Sequence, residues 1–472
     1  MAVLKQWVNL PKIDVFKDSD IDSVDRCGEL TIEVEVDKTD SAISYKAKIT
    51  PVGSDNATYN TAELQRNPKF KLRKGVTGIV DSKKIRVEGI GLPAAGGNKY
   101  KIEVQDAAGN VVSSSVEVET KRKLYYQKIS METGTETVPS YSLSSLETDS
   151  LQHHIEIVSK GSEVKIPYYK TVMLQANGNN LNTFGASVAG AFNIDNELKK
   201  LGIAVVYSEY LAKKGQRDFI GVIGLGTTGG THKARLTRTH LIITGDRYLW
   251  HGLNDTEDQN KEFFIDGAVR YTNTADATQN LTYLVRRADV DIEGAARFSH
   301  GGYHEIKIAI PAGSTLETMS NKTTGTIEVS LEVNITSGWI NGFSWEYSGA
   351  KLITCARRTL WTDMPAQTRD YTWIHEIGHR FGMVASGSSS FTTDRSLPDA
   401  PSTLYGENRG VNDKGHSGPH CEKGATYNAT SETWSGSPGC VMFGANGIGS
   451  NHAPKEYCSE CKPIVRKLDL SS

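Results

Sequence analysis

The chain has 472 residues, material for roughly three domains with buried cores at about 150 residues each. Lys+Arg 53 against Asp+Glu 55 leaves a formal charge of −2, which argues against a broad basic footprint for nucleic acid. Hydrophobic residues at 38% and charged residues at 23% exclude wholesale disorder, and no apolar run reaches the ~18–20 residues of a membrane helix; no nucleic-acid partner and no membrane insertion are expected.

The opening residues Met1–Pro11 carry neither a basic leader nor the apolar core of a secretory signal. With no signal peptide, the expectation is a protein secreted or injected by a non-Sec route, or otherwise a cytoplasmic one. Residues 30–119 read as strands. Leu30–Val36 and Tyr100–Val104 alternate apolar and polar, and Asp106–Asn110 turns the chain before Val111–Val118. Such runs predict a β-sandwich. The Tyr100–Asn110 hairpin is similar to those of bacterial immunoglobulin-like modules, which implies an all-β immunoglobulin-like sandwich over residues 1–120. Lys121-Arg-Lys123 reads as a basic exit from it.

Residues 121–250 mix element types and are expected to form the first part of a peptidase domain. Ala186–Leu201 has helical spacing and stops at Gly202, while Ile203–Tyr207 and Leu241–Thr244 suit buried strands. Gly224-Leu-Gly-Thr-Thr-Gly229 matches G-x-G-x-x-G after the strand-like Phe219–Ile223, with Asp246 at the spacing of a ribose-binding acid. The following Gly230–His240 is short and threonine-rich for a crossover helix, so a glycine-rich hairpin is the better expectation. Residues 251–350 become β-like again, with Ile306–Ile310 and Thr326–Ile335 alternating, and read as a β-rich insertion. Residues 351–472 carry the chemistry, with Ser386–Thr403 as a surface loop among them.

Within Trp373-Ile-His-Glu-Ile-Gly-His-Arg-Phe-Gly382 stands H-E-x-x-H. On a helical wheel His375, His379 and Glu376 fall near about 0°, 40° and 100°, and Ile377, Phe381 and Ile374 near about 200–260°. A helix opened by Pro365 and closed by Gly382 would present two imidazoles and a carboxylate on one side and an apolar stripe on the other. Two such histidines ligate Zn²⁺ while the glutamate acts as general base. A helix with solvated His and Glu gives the same string, and a catalytic zinc needs a third protein ligand. In H-E-x-x-H-x-x-G-x-x-H that ligand would fall at Ala385. The segment 383–419, a lid or rim over substrate or else a surface insertion, holds His416, and beyond it stand His420, to which His416 is the rival, and Glu422.

Six cysteines are too few for a disulfide scaffold. Cys27 and Cys355 read as buried thiols, while Cys421, Cys440, Cys458 and Cys461 crowd together. Read alone, these four are open to zinc binding, to two disulfides or to buried thiols, and the C-x-x-C spacing favours zinc. With His420-Cys421, Cys440-Val-Met442 and Cys458-Ser-Glu-Cys461 in that order after the helix, residues 375–461 resemble the archaemetzincin family of metzincin-type zinc peptidases. Their interval from Cys421 to Cys440 is wider than the family's. The string is also similar to metallopeptidase effectors associated with bacterial type VI secretion.

The resemblance implies two Zn²⁺ sites. His375, His379 and His420 would hold a catalytic ion, with Glu376 as general base and Met442 in the Met-turn beneath it. Cys421, Cys440, Cys458 and Cys461 would hold a structural ion. Consecutive side chains of an extended segment point to opposite sides, so His420 and Cys421 can face different metals. The expected fold is multidomain: the sandwich, then an α+β metzincin-like zincin domain with a β-rich insertion. The expected function is a zinc-dependent metalloendopeptidase of protein or peptide substrates, in which Glu376 takes a proton from water on the metal. A secreted or injected effector would add a secretion-apparatus spike protein as partner. Two other classes stay open: a non-catalytic binding or spike-associated structural protein with a zinc-stabilised C-terminal domain, and an amidase of cell-wall peptides.

Overall fold

Alternating apolar and polar residues carry most of this chain into strands. The computed structural model describes residues 4–8, 25–27, 29–67, 70–132, 141–167, 172–176, 180–194, 201–208, 211–224, 232–245, 262–285, 290–291, 305–336, 341–359, 362–381, 421, 423–428, 430–431, 433–443, 456–468 and 470. It is a β-rich α+β fold with several sheets and few helices.

The first elements are β1 (Leu4–Trp7), β2 (Asp25–Cys27), β3 (Leu30–Glu35), β4 (Lys46–Pro51), α1 (Thr61–Arg66), β5 (Val76–Asp81), β6 (Lys84–Ile90), β7 (Lys99–Gln105) and β8 (Val116–Glu132). The alternation in β3 turns Leu30, Ile32 and Val34 inward. β3, β6 and β5 make one antiparallel sheet, while β4 pairs with β7 and β7 with the start of β8. Ile32, Val34, Ile85 and Val87 from the first meet Ile49, Ile102, Val104 and Val118 from the second in a shared core. Asn60 and Glu63 close a reciprocal capping box on α1.

β8 runs on where Lys121-Arg-Lys123 was expected to lead out of the sandwich. The chain continues with α2 (Ser144–Gln152), β9 (Ile155–Ser159), β10 (Val164–Pro167), β11 (Val172–Ala176), α3 (Asn180–Ala191) and β12 (Gly202–Ser208), and the later residues of β8 found a second sheet with β9, β10 and β12. β9 and β10 run parallel along β8, and β12 lies parallel to it as well. Arg122 is fully buried, because its guanidinium reaches carbonyls left open at helix ends: His153 O at 2.6 Å after α2, and Val465 O and Leu468 O at 2.7 and 3.0 Å near the C-terminus. α3 starts earlier and stops earlier than the spacing over 186–201 predicts. Gln127 of β8 accepts from Asn193 N at 2.9 Å and binds the Asn193 side chain, holding that residue off the helix.

Next come β13 (Leu211–Gly224), β14 (His232–Leu236), β15 (His240–Gly245), β16 (Glu262–Thr272), β17 (Leu281–Val285), β18 (Val290–Asp291), β19 (Glu305–Ala309), α4 (Thr315–Ser320) and β20 (Thr326–Thr336). They form a five-stranded sheet, β11-β13-β20-β16-β17, and a four-stranded one, β14-β15-β19-β18. Leu241, Ile243, Val269, Tyr271, Ile308 and Val329 pack between them. β14 and β15 pair as an antiparallel hairpin, so His232–His240 is not the helix a dinucleotide motif requires. Residues 225–231 and Asp246 lie outside the described residues.

The chain then returns to the β8 sheet with β21 (Gly342–Tyr347) and β22 (Ala350–Ala356), followed by β23 (Arg358–Thr359), β24 (Thr362–Asp363), α5 (Ala366–Arg380), β25 (Ala425–Asn428), β26 (Thr433–Gly436) and α6 (Cys461–Lys467). β22 is parallel to β12, and β21 is the antiparallel edge. α5 covers β21 and β22 on one face, with Trp373, Ile374 and Ile377 in the main core. α6 docks on the N-terminal unit. Arg466 donates to Gly96 O at 2.9 Å and Gly97 O at 3.2 Å, and Lys467 pairs with Glu63 at 2.6 Å. Among the described residues no helix is long and apolar enough to cross a membrane.

Candidate functional site

α5 follows Pro365, whose fixed φ suits a helix start, and closes at Phe381. The wheel places one polar and one apolar side on it, yet every residue from Thr372 to His379 is buried. His375 is 7% exposed, Glu376 1% and His379 6%. The two Nε2 atoms stand 3.2 Å apart, with the rings edge to face. Nδ1 of His375 lies 2.7 Å from Val441 O. A carbonyl only accepts, so Nδ1 carries the proton and the Nε2 lone pair points toward His379. Burial lowers the His375 pKa to about 4, which keeps the imidazole neutral.

Both carboxylate oxygens of Glu376 are buried and have no hydrogen-bond partner among the described residues. Burial pushes its pKa well above the usual carboxylate value, opposed in part by Arg380 one turn on. β21 passes close by. A Cβ on Gly342 would meet Thr354 O at 2.6 Å and crowd Thr372, and would stand 3.1 Å from Glu376 Cγ, so only glycine lets the strand approach the helix there. Cys355 of β22 is buried nearby with its thiol pKa raised by burial.

Met442, fully buried, occupies the space a Cβ on Gly378 would take. Met442 O accepts from Cys421 N at 3.0 Å. Tyr457 OH donates to Ile374 O at 3.1 Å, a second tie between the C-terminal loops and α5.

Cys421, Cys440, Cys458 and Cys461 are buried and unpaired by disulfide, and their sulfurs all lie within 4.8 Å of one another. Cys421 Sγ to Cys458 Sγ is 3.9 Å. Zinc held tetrahedrally at ~2.3 Å per sulfur sets neighbouring sulfurs about 3.8 Å apart, so this cluster is dimensioned for such an ion. Backbone amides turn toward the sulfurs, Cys458 N to Cys440 Sγ at 3.3 Å and Cys461 N to Cys458 Sγ at 3.4 Å. Hydrogen bonding from Cys421 holds the Cys440 and Cys458 pKa values below the ordinary thiol value, with those amides helping.

The chain matches no known protein family, curated protein or solved structure.

The fold brings together His375, Glu376, His379 and Met442 of the expected catalytic set, and all four cysteines of the expected second set. His420, its rivals His416 and Glu422, and the segment 383–419 lie outside the described residues, as does the side chain of Cys27. Three contributors escape sequence reading. Val441 acts through its carbonyl, which any residue type would supply. Tyr457 acts through a hydroxyl, with its place before C-x-x-C as the sole cue. Gly342 has a legible signal, a glycine within an alternating strand, which marks close backbone approach.

Proposed function

We propose that this chain is a zinc-dependent metallopeptidase centred on His375, His379 and Glu376, with His420 as third ligand and a structural zinc on the four cysteines. In the same reading the N-terminal sheets are an immunoglobulin-like sandwich, and residues 251–350, which include β16–β20, are an insertion in a metzincin-like zincin domain. The carrying observation is the orphaned carboxylate of Glu376 beside two converging imidazole nitrogens. A buried carboxylate without a partner costs several kcal/mol, and such groups concentrate at sites of chemistry.

The ligand geometry supports the ion. Tetrahedral zinc at ~2.0–2.1 Å from nitrogen separates neighbouring ligands by about 3.3–3.4 Å. The observed 3.2 Å between Nε2 atoms is close to that, and the Val441 carbonyl fixes the tautomer a ligand requires. When bound, zinc supplies Lewis acidity that polarises a carbonyl and acidifies water. Glu376 then takes the proton of the attacking water and returns it to the amine nitrogen as the C–N bond breaks. Among the described strands β21 pairs only with β22, and an extended peptide added along that edge would lie beside Glu376.

The test is Glu376→Gln, assayed on unfolded protein and mixed peptides with metal content measured in parallel. Turnover should fall about 100- to 10,000-fold with zinc retained. Hydrolysis at the wild-type rate would exclude Glu376 as base and end this reading.

A further inference from the structure

The tripeptide Cys440-Val441-Met442 touches both sets of ligands at once. Cys440 contributes one sulfur to the cysteine cluster. Val441 O accepts the Nδ1 proton of His375 at 2.7 Å, and Val441 N donates to Glu456 O at 2.9 Å. Met442 packs beneath Gly378, one turn further along α5, and its carbonyl takes the Cys421 amide. On the facing segment of the cluster Tyr457, next to Cys458, donates to Ile374 O. The loops that carry the sulfurs therefore hold α5 at Ile374, His375 and Gly378.

We propose that the cysteine centre sets the metal affinity of the histidine site, with Val441 as the positioning residue that transmits it. The proposal rests on the reading that His375 and His379 hold an ion. Four sulfurs gathered within 4.8 Å repel once ionised, and a bound cation is what keeps them together. Without it Cys440 moves outward and carries the Val441 carbonyl with it. His375 then loses the acceptor that fixes its proton on Nδ1, and its Nε2 lone pair is no longer guaranteed. Loss of such an outer hydrogen bond weakens metal binding about 10- to 100-fold. Coupling of two binding events is reciprocal, so an ion on the histidines must tighten the cysteine centre by the same factor.

The test uses the full-length reduced apoprotein. Cd²⁺ is added first to fill the thiolates, and Co²⁺ is then titrated onto the histidines and followed by its visible spectrum. Cys440→Ser, which opens the cysteine centre, should weaken this Co²⁺ binding about 10- to 100-fold. Affinities equal within about threefold in a folded variant would overturn the proposal. Should Cys440→Ser fail to fold, the wild type carries the reciprocal measurement: Cd²⁺ release to a chelator, with and without Co²⁺ on the histidines. Release slowed by Co²⁺ supports coupling, and an unchanged rate overturns it. A wild-type chain that takes up Cd²⁺ on sulfur but no Co²⁺ at all would instead remove the histidine site itself, and the proposed function with it.

Discussion

Met442 and Gly378 share one space: the thioether of the first sits where the second would carry its Cβ. On helix propensity alone Gly378→Ala should stabilise α5 by up to about 1 kcal/mol. Overpacking against buried Met442 and the Tyr457 hydroxyl costs about 1–3 kcal/mol and wins. Gly378→Ala is expected to destabilise the protein by roughly 1–2 kcal/mol in urea unfolding. In a Met442→Ala background the same change should turn neutral or stabilising, a sign reversal that a double-mutant cycle reads directly.

Asp149 and His153 of the α2 end are buried, with Oδ2 and Nε2 3.9 Å apart. Burial raises Asp149 to about 7 and lowers His153 to about 4. Stability from protonated Asp149 is complete below about 3.8 and is lost as pH rises through 7. Stability from neutral His153 is complete above 6.5 and is lost as pH falls through about 4. Between about 4 and 6.5 the two slopes oppose, so the pair contributes little net pH dependence. Asp149→Asn should therefore gain stability relative to wild type as pH rises from 4 to 7, by about 1.4 kcal/mol per unit at most. His153→Gln should show the opposite slope. Flat differences in both would mean that neither group titrates as its burial demands.

Arg122 satisfies three carbonyls at two helix ends from inside the sheet. Each buried carbonyl left open costs about 1–3 kcal/mol. Arg122→Met is expected to lower unfolding stability by about 3–5 kcal/mol. Arg122→Lys should recover only part of that, because an ammonium cannot span the guanidinium's three directions.

Lys467 and Glu63 join the last helix to the first, with Glu63 4% and Lys467 20% exposed in their side chains. Lys467→Ala strands a buried carboxylate. The loss should be about 2–3 kcal/mol, below the ~3–5 of a fully enclosed pair because Lys467 keeps some contact with water. Hydrogen exchange at α6 should accelerate in the same variant. The exchange Glu63→Lys with Lys467→Glu should restore the pair while forfeiting the α1 capping box, worth about 1 kcal/mol.

Much of this architecture was legible in the sequence, and the exceptions share a cause. β3 announced itself because one face is buried and the other wet, so its side chains alternate, and the first half of β20 repeats this with Val329 buried and Glu328 exposed. α5 was legible from H-E-x-x-H and Pro365, but not its burial on both sides, which depends on loops distant in sequence. The cysteine spacing pointed to a cluster, and the sulfurs do converge. Lys121-Arg-Lys123 misled, because local charge gives no sign that helix carbonyls wait to receive Arg122. The end of α3 at Ala191 was equally invisible, set by Gln127 more than sixty positions earlier in the chain.

β8 pairs with β1 and β7 on behalf of the N-terminal unit and with β9, β10 and β12 on behalf of the second sheet. On the ribosome this strand emerges long before Gly202–Ser208 arrives to cover its far side. Until then the edge of Tyr125–Ser130 that β12 will take stands open, while β9 and β10 can fill only the other side, and an open edge is the kind of template that recruits other nascent chains. The order of synthesis thus gives this protein a vulnerable interval before β12 emerges, and holding chaperones acting over that interval should govern its yield.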